Sequence, residues 1–160
     1  MRKLLLFLCA LLGMSSAYAI DVKIAKTTEG LPSTFGTFKD NSFTTNDASG
    51  LAGVVVTADT EGLNILEQSV STEAAGYGNC FAFKTAKQDV PYKVTITAPD
   101  GYVVAGYSLD GSANTSGAPH TLTSASGLDM VEISSPPYNT PNGPMTFAVS
   151  DLSDKTTWFT

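Results

Sequence analysis

The stretch 92–109 is the feature that most constrains the fold of this chain. Val94 and Ile96 alternate with polar side chains, and this period of two is typical of a strand with one buried face. Pro99-Asp-Gly101 then favours a turn, because proline presets φ and glycine tolerates positive φ. Residues 102–109 are predicted to return as the second strand of a β-hairpin. The sequence therefore predicts an all-β protein.

Short segments of the same kind recur along the chain, and no segment has a sustained helical period. Turn signals separate roughly ten of them at intervals near ten residues, which is typical of a sandwich. The fold class predicted is an antiparallel two-sheet sandwich of the immunoglobulin or jelly-roll type. The predicted strands are 20–26, an irregular one around 35–43, 53–60, 63–70, 79–85, 92–97, 102–109, 121–123, 128–133, 145–149 and 156–160.

Two stretches are predicted with more local detail. Val54-Val-Val56 is a β-branched run of the kind found in strands buried on both faces, whereas Asn46–Gly50 has the composition of a turn. Residues 134–144 carry four prolines. Proline lacks the backbone donor that a central strand needs, so this segment is predicted to be a loop outside the ladder.

The N-terminus has the organisation of a secretory signal peptide. Arg2 and Lys3 precede the apolar run 4–14, and Ala17 and Ala19 supply small residues before a cleavage point. We predict a signal peptide at 1–19, cleavage after Ala19, and a single domain over 20–160. The apolar run is shorter than the roughly 20 residues of a membrane-spanning helix. The protein is therefore expected to be secreted, periplasmic or on the cell surface, without membrane insertion.

The charge of the chain argues against some partners, and its cysteine content argues against a disulfide. The chain has a formal charge of −6 and no cluster of basic residues, whereas nucleic acids and anionic membranes reward dense basic patches. Nucleic acid is therefore not an expected partner. Cys9 lies in the signal peptide, which leaves Cys80 alone and allows no intramolecular disulfide.

The sequence contains no recognisable catalytic constellation. His120 is the single histidine and is interpreted as an exposed loop residue. Neither the nucleophile-elbow motif nor the zinc-protease helix motif occurs. Close acidic pairs such as Asp59 and Glu61 lie at predicted turns, where acidic side chains make local hydrogen bonds. The chain is predicted not to be an enzyme and to need no cofactor.

The alternative to a chain without a cofactor is a chain that binds a structural calcium ion. Asp110 and Asn114 place oxygen-bearing side chains around a glycine turn, as part of a calcium loop would. The segment lacks the later bidentate glutamate of an EF-hand. Asp110 and Asn114 are therefore the candidate metal ligands.

Aromatic side chains indicate where a sugar could bind. Tyrosine and tryptophan can stack on a pyranose ring while their polar edge stays hydrated. Tyr138 lies in the proline-rich segment, and Trp158 lies near the end of the chain. These two are the candidate ligand-binding residues, with ordinary packing as the alternative.

Three segments carry a resemblance to a known family. Gly76–Lys84, Val94–Ser108 and Thr156–Thr160 resemble the N-terminal β-sandwich region of large secreted bacterial glycan-degrading proteins, among them sialidases. The resemblance runs from about Leu51 to the C-terminus and implies an accessory region that precedes a catalytic domain. It implies no sialidase activity here, because the arginine triad and the Asp-box repeats of sialidases are absent and Arg2 is the only arginine.

The expected function is that of a non-catalytic accessory module, the leading domain of a larger exported glycan-processing enzyme, with carbohydrate association. Large apolar residues at positions 158 and 159 predict that the chain is truncated or is followed by a catalytic domain. The alternative is a free-standing secreted or cell-surface β-protein that mediates adhesion or assembly.

Overall fold

A computed structural model describes residues 19–22, 32–69, 79–85, 90–111, 120–123, 130–133, 142–149 and 152–160. These residues form an all-β structure whose paired strands are all antiparallel. The strands are β1 (Gly36–Lys39), β2 (Ser42–Thr45), β3 (Val55–Ala58), β4 (Leu63–Ser69), β5 (Asn79–Thr85), β6 (Val94–Thr97), β7 (Gly106–Gly111), β8 (His120–Thr123), β9 (Met130–Ile133), β10 (Asn142–Ala148) and β11 (Thr156–Phe159). Short 3-10 helices span Pro32–Thr34 and Asp47–Ser49.

The strands form one larger sheet and three two-stranded ones. The five-stranded sheet has the order β1-β2-β3-β6-β11, and the smaller sheets pair β4 with β5, β7 with β10, and β8 with β9. Strand β6 lies between β3 and β11. The five-stranded sheet thus joins strands that are far apart in the sequence.

A two-residue turn connects β1 and β2. Lys39 pairs with Ser42, and both intervening residues have positive φ, 47° at Asp40 and 58° at Asn41. Positive φ at both central positions is the requirement of a type I′ turn, which matches the twist of the two strands. Aspartate and asparagine tolerate this conformation better than most residues because their short polar side chains bond locally.

We expect Asn41→Gly to raise the free energy of unfolding by about 0.5–1 kcal/mol, because glycine adopts positive φ without steric cost. The substitution creates the Asp-Gly pair that type I′ turns prefer. Urea denaturation measures the change. The matched control is Asn64→Gly at an exposed position of β4, where the same substitution should be destabilising. Equal effects at the two positions would contradict the prediction.

The hydrophobic core lies on one face of the five-stranded sheet. Phe159 of β11 belongs to this core, with the Phe83 ring of β5 edge-on at 5.7 Å and the Tyr107 ring of β7 stacked at 5.6 Å between centroids. Strands β4, β5 and β7 therefore contribute side chains over this face. The buried cluster comprises Phe35, Phe43, Val56, Leu63, Ile65, Val94 and Phe159.

The predicted hairpin at 92–109 is wrong, because the two segments on either side of its turn do not pair with each other. The turn itself is present, since the Tyr102 amide donates to the Pro99 carbonyl at 3.1 Å. However, 102–105 is not a strand, and β7 pairs with β10 instead of β6. The physical reason is that both edges of β6 are already occupied by β3 and β11.

The proline-rich loop also ends earlier than predicted, because Pro144 lies within β10. The pairing of β10 with β7 shifts register between Asn142 and Met145, where Asn142 faces Gly111 and Met145 faces Leu109. A proline is tolerated in a strand at such a bulge, where the ladder is locally interrupted. The rest of the predicted loop, 134–141, lies outside the described residues.

Other local predictions have mixed outcomes. The strand 79–85 is confirmed with the predicted bounds, and the turn at Asn46–Gly50 is confirmed as a capped 3-10 helix. Val55 is only half-buried, so the run 54–56 is not buried on both faces. His120 begins β8 instead of lying in a loop. Residues 20–22 have no regular structure, and the rest of the strand predicted there lies outside the described residues.

Candidate functional site

The face of the five-stranded sheet opposite the core carries two cross-strand rows of side chains, and we call it the outer face. Strand register defines both rows, because directly paired residues share a face and alternate residues return to it. Within each row every side chain is exposed or half-buried. The aromatic row is Lys39, Ser42, Thr57, Thr95 and Trp158, and the threonine row is Thr37, Thr44, Val55, Thr97 and Thr156.

Trp158 lies at one end of the aromatic row because β11 is the last strand of the five-stranded sheet, and alternation along β11 determines its face. Thr157 and Phe159 are buried on the core side, at 2% and 4% exposure. Successive side chains of a strand point to opposite faces, so Trp158 lies on the outer face, where it is half-buried. Burial of Thr157 and Phe159 in the core therefore places the Trp158 ring on the outer face.

Lys93 lies beside this ring. Its ammonium nitrogen is 5.4 Å from the centroid of the Trp158 ring, a distance at which the ring quadrupole attracts a cation. The backbone amide of Lys93 also donates to Thr60 Oγ1 at 2.9 Å. These contacts hold Lys93 next to Trp158 at the end of the aromatic row.

The hydroxyl groups of the outer face are partly engaged within the protein. Thr95 Oγ1 donates to the Asp59 carboxylate, and Ser42 Oγ donates to the Lys39 carbonyl at 2.6 Å. A hydroxyl has one donor hydrogen and two acceptor lone pairs. Thr95 and Ser42 therefore still have acceptor capacity for a ligand, while their donor hydrogens are already used.

A surface ion pair ties the 99–101 turn to the start of β11. Lys155 Nζ is 2.7 Å from Asp100 Oδ1, and the Ala98 amide donates to the Lys155 carbonyl at 2.8 Å. The hydrogen bond and the charge of Lys155 lower the pKa of Asp100 from 3.8. The same contact with Asp100 raises the pKa of Lys155 from 10.5.

This pair predicts a pH-dependent contribution to stability. Asp100 has a lower pKa in the folded state than in the unfolded state, so its contribution is present above pH 3.8 and is lost as the pH falls below it. Lys155 has a raised pKa, so its contribution is lost as the pH rises above 10.5. We expect Asp100→Asn to reduce stability slightly at pH 7, since exposed pairs contribute little.

Urea denaturation of the wild type and Asp100→Asn at several pH values measures this effect. The difference between them should shrink as the pH is lowered through the titration of Asp100. Lys155→Gln in each background gives the coupling between the two side chains. An Asp100→Asn difference that is unchanged at low pH would contradict the assignment.

The predicted site residues are not brought together by the described structure. Trp158 lies on the outer face, whereas Tyr138 lies outside the described residues. Of the candidate calcium ligands, Asp110 lies in β7 instead of a turn, and Asn114 lies outside the described residues. Among the residues whose positions the structure gives, no three histidine, cysteine or acidic side chains are grouped as a metal site would need. No described helix is long and apolar enough to cross a membrane.

The sequence did not indicate which residues lie beside Trp158 on the outer face. Lys93 and Thr95 were recognisable as the outward side of β6 from their alternation with Val94 and Ile96. Their proximity to Trp158 depends on the pairing of β6 with β11, which no local pattern reveals.

Comparison of the chain with known proteins does not identify its family. No protein-family model, curated protein or solved structure matches it.

Proposed function

We propose that the chain is a non-catalytic β-sandwich module of an exported glycan-processing protein and that it contacts carbohydrate through the outer face. The sandwich architecture has support in the core, where side chains from β4, β5 and β7 pack against one face of the five-stranded sheet. The opposite face of that sheet carries the exposed and half-buried side chains of the two rows, to which we assign the ligand.

The observation that carries the carbohydrate proposal is the position of Trp158. Its ring lies on a face otherwise lined by threonine, serine and lysine side chains and one valine, Val55. An aromatic ring stacks on the apolar side of a pyranose, while neighbouring hydroxyls bond to the sugar hydroxyls. Thr95, directly across from Trp158, supplies such a hydroxyl.

The proposed role is binding, because Trp158 offers a ring for stacking and its neighbours Thr95 and Lys93 offer polar groups beside that ring. These interactions provide affinity and orientation for a sugar. The module would then hold a glycan close to a catalytic domain of the same protein, as the family resemblance implies.

A glycan array probed with the purified protein and with Trp158→Ala tests the proposal. Truncating a central aromatic contact costs about 2 kcal/mol of binding, so bound glycans should lose roughly thirtyfold in affinity. The matched control is Tyr102→Ala, since Tyr102 is an exposed aromatic residue outside the five-stranded sheet. Circular dichroism confirms that both variants fold. Absence of wild-type binding, or equal loss in the two variants, would overturn the proposal.

The second candidate is a role in adhesion or assembly. Tyr102 and Val103 are adjacent large apolar residues with exposures of 43% and 44%, and exposed apolar residues of this kind favour protein contacts. Sedimentation analysis separates the two candidates. Self-association that Tyr102→Ala weakens, together with an array on which wild type binds no glycan, would favour this second role.

A further inference from the structure

We propose that the ligand of the outer face is an extended, neutral polysaccharide that lies across the strands along the aromatic row, instead of a single terminal sugar. This inference rests on the proposed function and specifies its ligand class. It assigns Thr57 and Ser42, two and three strands away from Trp158, to the binding of successive sugar units.

The dimensions of the sheet support a polymeric ligand. Adjacent strands lie about 4.8 Å apart, so the aromatic row from Trp158 on β11 to Ser42 on β2 covers about 14 Å. One pyranose unit of an extended, equatorially linked chain is about as long as one strand spacing. A ring stacked on Trp158 would therefore be followed by rings over Thr95, Thr57 and Ser42, which register places in line.

The hydrogen-bonding state of the row selects for a ligand rich in hydroxyl donors. Thr95 and Ser42 have already donated their hydrogens to Asp59 and to the Lys39 carbonyl. Each keeps lone pairs that can accept. Sugar hydroxyls can donate to these lone pairs, whereas carboxylates and sulfates offer only acceptors.

The charge distribution of the row favours a neutral chain. Between Trp158 and Ser42 the row contains threonines alone. The charges near each end have both signs. At one end Lys93 contacts Trp158 and Asp59 accepts from Thr95. At the other end Lys39 Nζ lies 3.9 Å from Asp40 Oδ2. The whole chain carries −6, so a polyanion would be repelled at long range.

Isothermal titration calorimetry with the purified protein tests the inference. The probes are neutral β-1,4-linked oligosaccharides of glucose, mannose and xylose, in lengths from two to six units. In the series that binds, affinity should rise about tenfold from two units to four, because added units bond to Thr57 and Ser42. It should level off beyond five units, since Lys39 on β1 is the fifth and last position of the row.

Thr57→Val tests the row without changing the shape of the strand. Valine replaces one hydroxyl by a methyl group and favours strands, so we expect the four-unit probe to lose about fivefold in affinity. The two-unit probe should be unaffected, because it covers only Trp158 and Thr95. Asn64→Ala, at an exposed position of β4, is the matched control and should change neither.

The outcomes separate this inference from the proposed function. Trp158-dependent binding that does not increase with length, or an equal effect of Thr57→Val on short and long probes, overturns the extended-chain inference and leaves the carbohydrate proposal standing. Stronger binding to polygalacturonate than to every neutral series overturns the neutral-ligand assignment. If the wild type binds no glycan at all, both proposals fail.

Discussion

Phe43→Ala is expected to lower the free energy of unfolding by about 3–5 kcal/mol, the range for removing a fully enclosed aromatic ring. Phe43 has 0% exposure and lies on the core face of β2. The centroid of its ring is 4.8 Å from that of Phe38, and Phe43 pairs directly with Val56 on the neighbouring strand β3. Removing the ring leaves a cavity bounded by paired strands, which cannot collapse to fill it.

The matched control is Phe38→Ala, which removes the same ring from the directly paired position. Phe38 is half-buried on the edge strand β1, so less apolar surface returns to water and the neighbouring side chain can relax. Urea denaturation of both variants should show a clearly larger loss for Phe43→Ala. Equal losses would mean that the core does not centre on Phe43.

The buried face of a strand could be predicted from the sequence, because it depends on the alternation of apolar and polar residues along that strand. In β6, Val94 is buried and Ile96 packs against the core, while Lys93 and Thr95 lie on the other side. Side-chain direction alternates along any strand, so a period of two reveals the core face directly. The strand at 79–85, predicted from its strand-like run of residues, is also confirmed.

Strand pairing could not be predicted in the same way. The turn at Pro99–Gly101 indicated a hairpin, yet β6 is flanked by β3 and β11. Alternation fixes which face of a strand is buried, and it contains no information about which strand lies alongside. The sequence separation between β6 and β11 makes their pairing a property of the whole fold.

The β1–β2 hairpin was missed for a related reason. Phe38 and Phe43 are five residues apart, a spacing that fits neither a helix nor a continuous strand. The turn at Asp40 and Asn41 reverses the chain, so the two phenylalanines pair directly across the hairpin. Without a glycine in the turn, the usual signal for a type I′ hairpin was absent.

The candidate site shows the same division between local and long-range information. Trp158 was selected from its residue type alone, and its position on the outer face agrees with the alternation of β11. The aromatic row around it depends on four strand pairings in register. A single sequence gives the residue types of such a row, whereas the fold brings them into line.

Gly36→Ala is expected to lower the free energy of unfolding by about 3 kcal/mol or more, because overpacking at a rigid contact forces the backbone to move. Gly36 is buried at the start of β1 and pairs with Thr45. A Cβ atom there would lie 2.5 Å from Phe43 Cζ and would also overlap the backbone oxygen of Thr44. The ring is fully enclosed and the oxygen belongs to the paired strand, so neither can yield easily.

Gly101→Ala is the matched control because it separates steric overlap from backbone conformation. Gly101 has φ of +87°, yet a Cβ atom there would have nothing within 4 Å. Its substitution should cost about 1 kcal/mol, the penalty of an L residue at positive φ. Combining Gly36→Ala with Phe43→Leu, which shortens the obstructing side chain, should recover part of the loss that the two single substitutions together predict. Strict additivity in urea denaturation would show that Gly36 does not contact Phe43 and that the packing of β1 on the core must be different.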